Sequence, residues 1–297
     1  MPVHRGAPTG GALVVGGGWL GTLKLGDRRY DVASKAMVMG ILNRTKDSFF
    51  DQGAYFAFDA FLSKAEELVV AGADILDVGG VKAGAGPEVS TQEEIERVAP
   101  AVEALYQRFD VPISVDTWNA EVLDASMAAG AVIGNDISGF ADPGYLRIAA
   151  SHGGAVVATH IRLAPRVPDP DAQYDDVVAT VREFLLDRAA RAIEAGVDPE
   201  SVIVDAGLDL GKNADDSLAL LRNSDVLAGL GYTLLLSASN KDVLGAHLGL
   251  ELAERGPASI SAAAIAYLGG ARIFRVHDVR GTRRALEVMA ELIEHRR

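Results

Sequence analysis

From Met37 onward the chain repeats one pattern, and this repeat constrains the fold more than any other feature of the sequence. A short β-branched or aliphatic run ends in one or two polar residues and precedes a longer stretch with helical spacing, and the unit recurs about every thirty residues. Between Phe58 and Val69, for example, apolar residues recur mostly three or four positions apart. The apolar runs are Met37–Leu42, Asp74–Val78, Ile113–Val115, Val132–Ile133, Ala155–Ala158, Val202–Val204, Thr233–Leu236 and Ile273–Val276.

Strands that alternate with helices pair in parallel through right-handed crossovers. Eight such units over residues 37–297 match the size of a (β/α)8 barrel, which is about 250 residues. We therefore predict an α/β fold, a TIM (β/α)8 barrel, with a doubly wound open sheet as the alternative.

Residues 1–36 do not fit the repeat and are predicted to form an N-terminal extension with a β-hairpin. Leu23, Leu25 and Tyr30 flank Gly26 and Asp27, a pattern typical of two short strands joined by a tight turn. We expect this hairpin to cap the amino-terminal face of the barrel.

Composition excludes several classes of function. The 297 residues contain 41 acidic and 28 basic side chains, and the net charge of -13 repels nucleic-acid phosphates and anionic lipids. The absence of cysteine excludes disulfide scaffolds, thiolate metal sites and thiol nucleophiles. No apolar run approaches the roughly 20 residues of a membrane span. We expect a cytoplasmic protein without nucleic-acid or membrane partners, in which an anionic substrate requires a local cluster of positive charge.

Two glycine motifs resemble nucleotide sites without the required context. The segment from Gly16 to Gly21 fits G-x-G-x-x-G, but the residues after it alternate like a hairpin instead of opening a helix. The segment from Gly207 to Asn213 resembles a phosphate loop, but it is one residue too short and has Asn213 where Ser or Thr binds magnesium. Neither motif predicts a nucleotide site.

The carboxyl ends of the predicted strands carry many polar residues, and this is where barrel enzymes place their chemistry. Asp116, Asn135 and Asp205 are suited to bind a flat polar heterocycle. Lys241, Arg275 and His277 supply the local positive charge that an anionic leaving group needs. The alternative is that such residues cap helices and satisfy loop backbone. The full set is Asn43, Asp77, Asp116, Thr117, Asn135, Asp136, His160, Asp205, Ser239, Lys241, Arg275, His277 and Asp278.

The order of these residues resembles dihydropteroate synthase from about Leu25 to the carboxyl terminus. The resemblance implies an enzyme that displaces pyrophosphate from 6-hydroxymethyl-7,8-dihydropterin pyrophosphate with the amine of 4-aminobenzoate, and a homodimer formed through the later helices. An Ala-rich stretch, Ala258–Leu268, is compatible with that dimer or with barrel-facing core. The motifs are residues 39–49 (Met-Gly-Ile-Leu-Asn-Arg-Thr-Lys-Asp-Ser-Phe), 77–80 (Asp-Val-Gly-Gly), 114–117 (Ser-Val-Asp-Thr), 135–136 (Asn-Asp), 205–212 (Asp to Gly-Lys), 239–241 (Ser-Asn-Lys) and 275–278 (Arg-Val-His-Asp).

The resemblance also implies roles for individual residues. Lys241, Arg275 and His277 would be catalytic, and Asn43 would lie near the Mg2+ that family members use. The magnesium and the cationic side chains would stabilise the departing pyrophosphate. The pterin pocket falls on Asp116, Asn135, Asp205 and Lys241, and the pyrophosphate side falls on Asn43, Arg275 and His277.

The departures from the family pattern lie on the side of the second substrate. Residues 79–86 read Gly-Gly-Val-Lys-Ala-Gly-Ala-Gly where the family has Gly-Gly-Glu-Ser-Thr-Arg-Pro-Gly. Lys46 replaces a Pro, Leu210 replaces a Phe that packs on aminobenzoate, and Asn240 replaces an Arg. Asp242 replaces a hydroxyl and would repel the aminobenzoate carboxylate if it faced the pocket.

Lys82 and Lys46 could restore positive charge, or they could be ordinary loop lysines. The pattern resembles the divergent second copies of dihydropteroate synthase in some actinobacteria. Three hypotheses follow: a synthase with reduced activity, an inactive or substrate-switched paralogue that binds a pterin-like ligand, and a methyltetrahydrofolate corrinoid methyltransferase domain. The retained residues Arg275 and His277 argue against the third, because a methyl donor carries no pyrophosphate.

Overall fold

The computed structural model describes residues 21–44, 54–84 and 86–294, with the side chains of residues 54–57 and 294 excepted. Residues 16–20 of the first glycine motif and Lys46 lie outside it. Eight parallel strands close into a barrel in chain order, and the last of them pairs with the first. This confirms the TIM barrel over the open sheet. The strands are β3 (Met37–Asn43), β4 (Ile75–Gly79), β5 (Ile113–Asp116), β6 (Ile133–Asp136), β7 (Ala155–Thr159), β8 (Val202–Asp205), β9 (Thr233–Leu236) and β10 (Ile273–Val276).

The helices begin where the sequence supplies caps. Ser90 Oγ accepts a hydrogen bond from the Glu93 N–H at 3.2 Å, and Asp176 Oδ1 accepts one from the Ala179 N–H at 2.9 Å. Short 3-10 turns cover Pro199–Ser201 and Leu252–Glu254. The helices are α1 (Ala54–Val70), α2 (Thr91–Arg108), α3 (Ala120–Ala128), α4 (Tyr145–Ser151), α5 (Val177–Glu194), α6 (Ala214–Arg222), α7 (Ser224–Ala228), α8 (Asp242–Ala246), α9 (Arg255–Leu268) and α10 (Val279–Glu294).

The interior of the barrel is apolar in its amino-terminal part and polar at its mouth. Because strand side chains alternate with a period of two, an inward apolar residue is followed two positions later by an inward polar one. Ile75 is followed in this way by Asp77, and Ile133 by Asn135. The apolar cluster inside the barrel contains Met37, Met39, Ile75, Ile133, Ala155, Val157, Ile203, Leu235 and Ile273.

The predicted hairpin is present and lies at the amino-terminal end of the barrel. β1 (Thr22–Leu25) pairs antiparallel with β2 (Arg28–Asp31), and the turn takes its positive φ of 58° at Gly26. Leu23 and Leu25 belong to the same buried cluster as the barrel interior. The Ser201 hydroxyl donates to the Lys24 carbonyl at 2.9 Å. The hairpin therefore closes this end, while the boundary at residue 36 stays a prediction.

Among the described residues, no helix combines the length and the apolar character that a membrane crossing requires.

Candidate active site at the barrel mouth

The strand register brings several of the predicted residues to one level of the mouth. Asn43 on β3 is opposite Gly79 on β4, Gly79 is opposite Asp116 on β5, and Asp116 is opposite Asn135 on β6. A Cβ on Gly79 would lie 3.5 Å from Asn43 Oδ1 and 3.6 Å from Asp116 Cβ. The glycine therefore keeps open the space between these two polar side chains.

Arg275 on β10 joins two carboxylates that lie on the neighbouring strands β4 and β5. Its Nε donates to Asp77 Oδ2 at 2.6 Å, and its Nη2 donates to Asp116 Oδ2 at 2.6 Å. The Asn135 amide nitrogen lies 3.4 Å from each carboxylate oxygen of Asp77. Asp77 is fully buried and was not among the predicted ligands, although its inward position two residues after Ile75 was a usable signal.

The cluster of two carboxylates and one guanidinium has unusual proton affinities. Burial raises the pKa of Asp116 to about 7; Arg275 opposes this rise and Asp77 adds to it. For Arg275, burial lowers the pKa, but Asp77 and Asp116 outweigh burial and raise it above its ordinary value. Arg275 therefore stays charged, and Asp116 is the group that can exchange a proton near neutral pH.

Asp205 and Lys241 form the other side of the predicted pterin pocket. Asp205 Oδ1 accepts a hydrogen bond from the Gly207 N–H at 2.9 Å, and Lys241 Nζ donates to the Leu208 carbonyl at 2.5 Å. Burial raises the pKa of Asp205 and lowers that of Lys241, and in each case the charge of the other group opposes the effect. Each of the two groups therefore favours the charged form of the other.

Lys212 explains why the second glycine motif is not a phosphate loop. Its Nζ donates to the carbonyls of Gly207 at 2.9 Å, Leu210 at 3.0 Å and His160 at 3.3 Å. Burial lowers the pKa of Lys212 to about 7. The φ of 64° at Gly207 and the contact of a Cβ there with the His160 carbonyl require glycine at this position. The lysine is therefore used to fold its own loop.

His277 lies at the end of β10 with its side chain exposed and held by Ser239. The Ser239 hydroxyl oxygen is 3.0 Å from His277 Nδ1 and 3.2 Å from the His277 backbone nitrogen. Removal of water from part of the ring and the charge of Arg275 lower the pKa of His277. Ser239 was recognised as a polar residue after a strand, but no role was predicted for it.

On the side of the second substrate, Asp242 has a partner that the sequence did not predict. Arg255 Nη1 donates to Asp242 Oδ1 at 2.6 Å and to the Asn240 carbonyl at 3.1 Å. Asp242 itself is exposed at the start of α8. The expected repulsion of a substrate carboxylate is therefore reduced by a neighbouring guanidinium.

The rebuilt second loop is held from another part of the chain. Arg166 Nη2 donates to the Pro87 carbonyl at 2.8 Å and also to the Gly86 carbonyl. Arg97 Nη1 donates to the Gly80 carbonyl at 2.8 Å. Lys82 is exposed on this loop. Two arginines outside the loop thus bind its backbone at both ends.

Comparison with known proteins decides the family. The sequence profile described as pterin binding enzyme matches residues 39–277. This chain belongs to the pterin-binding enzyme family. The matched range begins within β3 and ends at His277, so it contains the other seven barrel strands, most of β3 and every predicted site residue.

Relatives within the pterin-binding enzyme family fall into two groups. The chain is 43% identical over 270 residues to the inactive dihydropteroate synthase 2 of Mycobacterium leprae, covering 88% of this chain and 91% of the relative. It is 38% identical to the dihydropteroate synthase of Bacillus subtilis, and the match covers 87% of this chain and 89% of the relative. The predicted resemblance to dihydropteroate synthase and to divergent second copies is confirmed.

Solved structures of this family confirm the fold of the chain. A Yersinia pestis dihydropteroate synthase in complex with a sulfonamide drug superposes with a TM-score of 0.85 at 36% identity, covering 92% of this chain and 99% of the other. The Xanthomonas albilineans enzyme with 4-aminobenzoic acid gives a TM-score of 0.84 at 36% identity. The match covers 92% of this chain and 98% of the other.

Proposed function

We propose that this protein binds 6-hydroxymethyl-7,8-dihydropterin pyrophosphate at the barrel mouth and condenses it with 4-aminobenzoate at a reduced rate. The observation that carries the proposal is the buried polar floor in which Arg275 joins Asp77 and Asp116 beside Asn135. Because two carboxylates share one guanidinium, this floor keeps a surplus of acceptor oxygens, and convergent polar groups of this kind are typical of a ligand site.

The pterin half of the site has the required chemistry. The carboxylates of Asp116 and Asp205 accept hydrogen bonds from the ring and amino N–H groups of a pterin, and Lys241 donates to its carbonyl side. When pyrophosphate leaves, positive charge develops at the pterin methylene. Nearby carboxylates stabilise this charge, and Arg275 and His277 stabilise the departing anion.

Magnesium is the cofactor that the family implies. Among residues 21–44, 54–84 and 86–294, no group of three or more His, Asp or Glu side chains is arranged to hold a metal ion. Asn43 offers one exposed amide oxygen at the mouth, and Mg2+ commonly binds one or two protein oxygens together with substrate phosphates and water. The residues therefore fit a Mg2+ that arrives with the pyrophosphate and contacts Asn43. There it would polarise the leaving group.

A second candidate is a paralogue that binds the pterin without turnover. Asp242, which is paired with Arg255, stands where the family has a hydroxyl that helps to hold the aminobenzoate carboxylate, and two similar curated relatives are named as inactive. A changed amine substrate is consistent with the same observations.

Calorimetric titration separates these candidates. Dihydropterin pyrophosphate with Mg2+ is titrated into the protein, 4-aminobenzoate is then added to the same sample, and dihydropteroate is assayed. Binding followed by product supports the synthase, whereas binding without product supports the second candidate. The Asp116→Asn variant should bind at least about tenfold more weakly, and the exposed Lys64→Met variant serves as the matched control. No binding by the wild type would contradict both.

We also propose a cytoplasmic homodimer. In α9, Ala262, Ala263 and Ala266 are buried against the barrel, while Ile265 and Leu268 are about half exposed on the opposite face. The Ala-rich stretch thus supplies core packing on one side and an unpartnered apolar face on the other.

A further inference from the structure

The hydroxyl group of Ser239 lies between two nitrogen atoms of His277. Its Oγ is 3.2 Å from the backbone nitrogen and 3.0 Å from Nδ1 of the same histidine. Ser239 follows β9 and His277 follows β10, and these neighbouring strands pair in parallel. One side chain therefore fixes both the main chain and the ring at the end of β10.

The direction of these hydrogen bonds follows from the donors available. A backbone N–H can only donate, so Oγ accepts the bond from His277 N. The remaining hydroxyl proton needs an acceptor, and His277 Nδ1 is the acceptor that the described residues offer. When the hydroxyl donates to Nδ1, the neutral imidazole carries its own proton on Nε2.

We propose that Ser239 is a positioning residue that holds neutral His277 in the Nε2–H tautomer, so that the ring offers a hydrogen-bond donor to a phosphate oxygen. The proposal rests on the proposed function, in which the pyrophosphate lies beside His277. It assigns to Ser239 a role in recognition of the leaving group that does not require Ser239 to touch the substrate.

The charges around the ring explain why the tautomer matters. Arg275 lies two residues before His277, and partial desolvation of the ring together with the charge of Arg275 lowers the pKa of His277 and so favours the neutral imidazole. The neighbouring Asp278 is engaged at the start of α10, where its Oδ1 accepts a hydrogen bond from the Gly281 N–H at 2.9 Å.

A neutral imidazole can present either a donor or a lone pair at its exposed nitrogen. A lone pair would face the negatively charged phosphate oxygens and repel them, whereas Nε2–H would bind them. Control of the tautomer therefore decides whether His277 attracts or repels the anion at neutral pH.

The test measures the tautomer in the free protein by NMR of 15N-labelled histidine. The His277 signals are assigned with the His277→Gln variant. At pH 8 we expect the wild type and Ser239→Thr to show Nε2–H, because both have a hydroxyl at this position. We expect Ser239→Ala to show a mixture with Nδ1–H, while Ser261→Ala, a control on α9, should match the wild type. Wild-type His277 with its proton on Nδ1, or no change in Ser239→Ala, would overturn the assignment.

The second measurement is calorimetric binding of inorganic pyrophosphate with Mg2+ to the same variants. We expect Ser239→Ala to bind about tenfold more weakly and Ser239→Thr to bind like the wild type. An altered tautomer in Ser239→Ala without a change in affinity would overturn the role in recognition. A failure of the proposed function is distinct, because it appears as loss of dihydropterin pyrophosphate binding by the wild type while the tautomer stays Nε2–H.

Discussion

At the scale of single residues, Arg275 determines the charge state of the barrel mouth. One guanidinium serves two carboxylates, so the cluster with Asp77 and Asp116 has one negative charge more than it has positive charge. Asp77 is fully buried, while Asp116 retains some contact with solvent. The surplus charge can therefore be removed by protonation of Asp116, and a ligand with N–H donors competes with that proton.

The raised pKa of Asp116 predicts a pH dependence of stability. Because the folded pKa, about 7, exceeds the ordinary value of 3.8, the folded protein keeps a proton that the unfolded chain loses between these values. The stabilisation is fully present below about pH 4 and is lost as the pH rises through about 7. Urea unfolding should be measured from pH 5 to pH 8. Over this range the free energy of unfolding of the wild type should fall by on the order of 2 kcal/mol relative to that of Asp116→Asn. If the free energy of unfolding had the same pH dependence in both proteins, Asp116 would stay ionised beside Arg275.

At the scale of elements, local periodicity predicts the strands and their inward faces but not the partners of each side chain. The period-two alternation that places Ile203 two positions before Asp205 is visible in a few consecutive residues. The barrel and its mouth could therefore be predicted. Asp77 and Asp116, the partners of Arg275, lie 198 and 159 residues away in sequence. These contacts depend on barrel closure and on rotamers, which no local pattern encodes. The burial of Lys212 depends likewise on carbonyls of two separate loops.

The hairpin formed by β1 and β2 should contribute measurably to stability, because Leu23 is fully buried inside the barrel. Leu23→Ala should lower the free energy of unfolding by about 2–5 kcal/mol. Leu292→Ala, at an exposed position of α10, is the control and should change it by less than about 0.5 kcal/mol. Equal small effects in urea titrations would show that the hairpin does not pack in the barrel end.

The contact of Arg166 with the second loop predicts an effect confined to that loop. Arg166 has a φ of 67°, so Arg166→Gly removes the side chain without adding backbone strain. We expect faster amide hydrogen exchange in residues 81–89, with the barrel strands unchanged. Arg147→Ala, an exposed substitution on α4, should leave the loop as in the wild type. Unchanged exchange in Arg166→Gly would mean that other contacts hold the loop.

At the scale of the whole molecule, the net charge of -13 opposes self-association, and an apolar contact must overcome it. The proposed dimer therefore should tighten as salt screens the repulsion between two acidic copies. The exposed side chains of Ile265 and Leu268 on α9 are the apolar contribution that the described residues offer at this face.

Light scattering after gel filtration tests this assembly. The wild type should elute with the mass of two chains at micromolar concentration, and Ile265→Lys combined with Leu268→Lys should elute as one chain. Val70→Lys, at an exposed apolar position at the end of α1, should leave the mass unchanged. A wild-type protein with the mass of one chain at both low and high salt would contradict the dimer.

The hairpin at the closed end also has a kinetic consequence. Because Leu23 and Leu25 belong to the packed apolar cluster of the barrel interior, the polar groups above this cluster are reached from the carboxyl-terminal end of the strands. Under the proposed function, a pterin on the floor of Asp116 and Asn135 would enter and leave past the rim of the barrel. A second molecule bound at the rim would therefore slow the escape of the first.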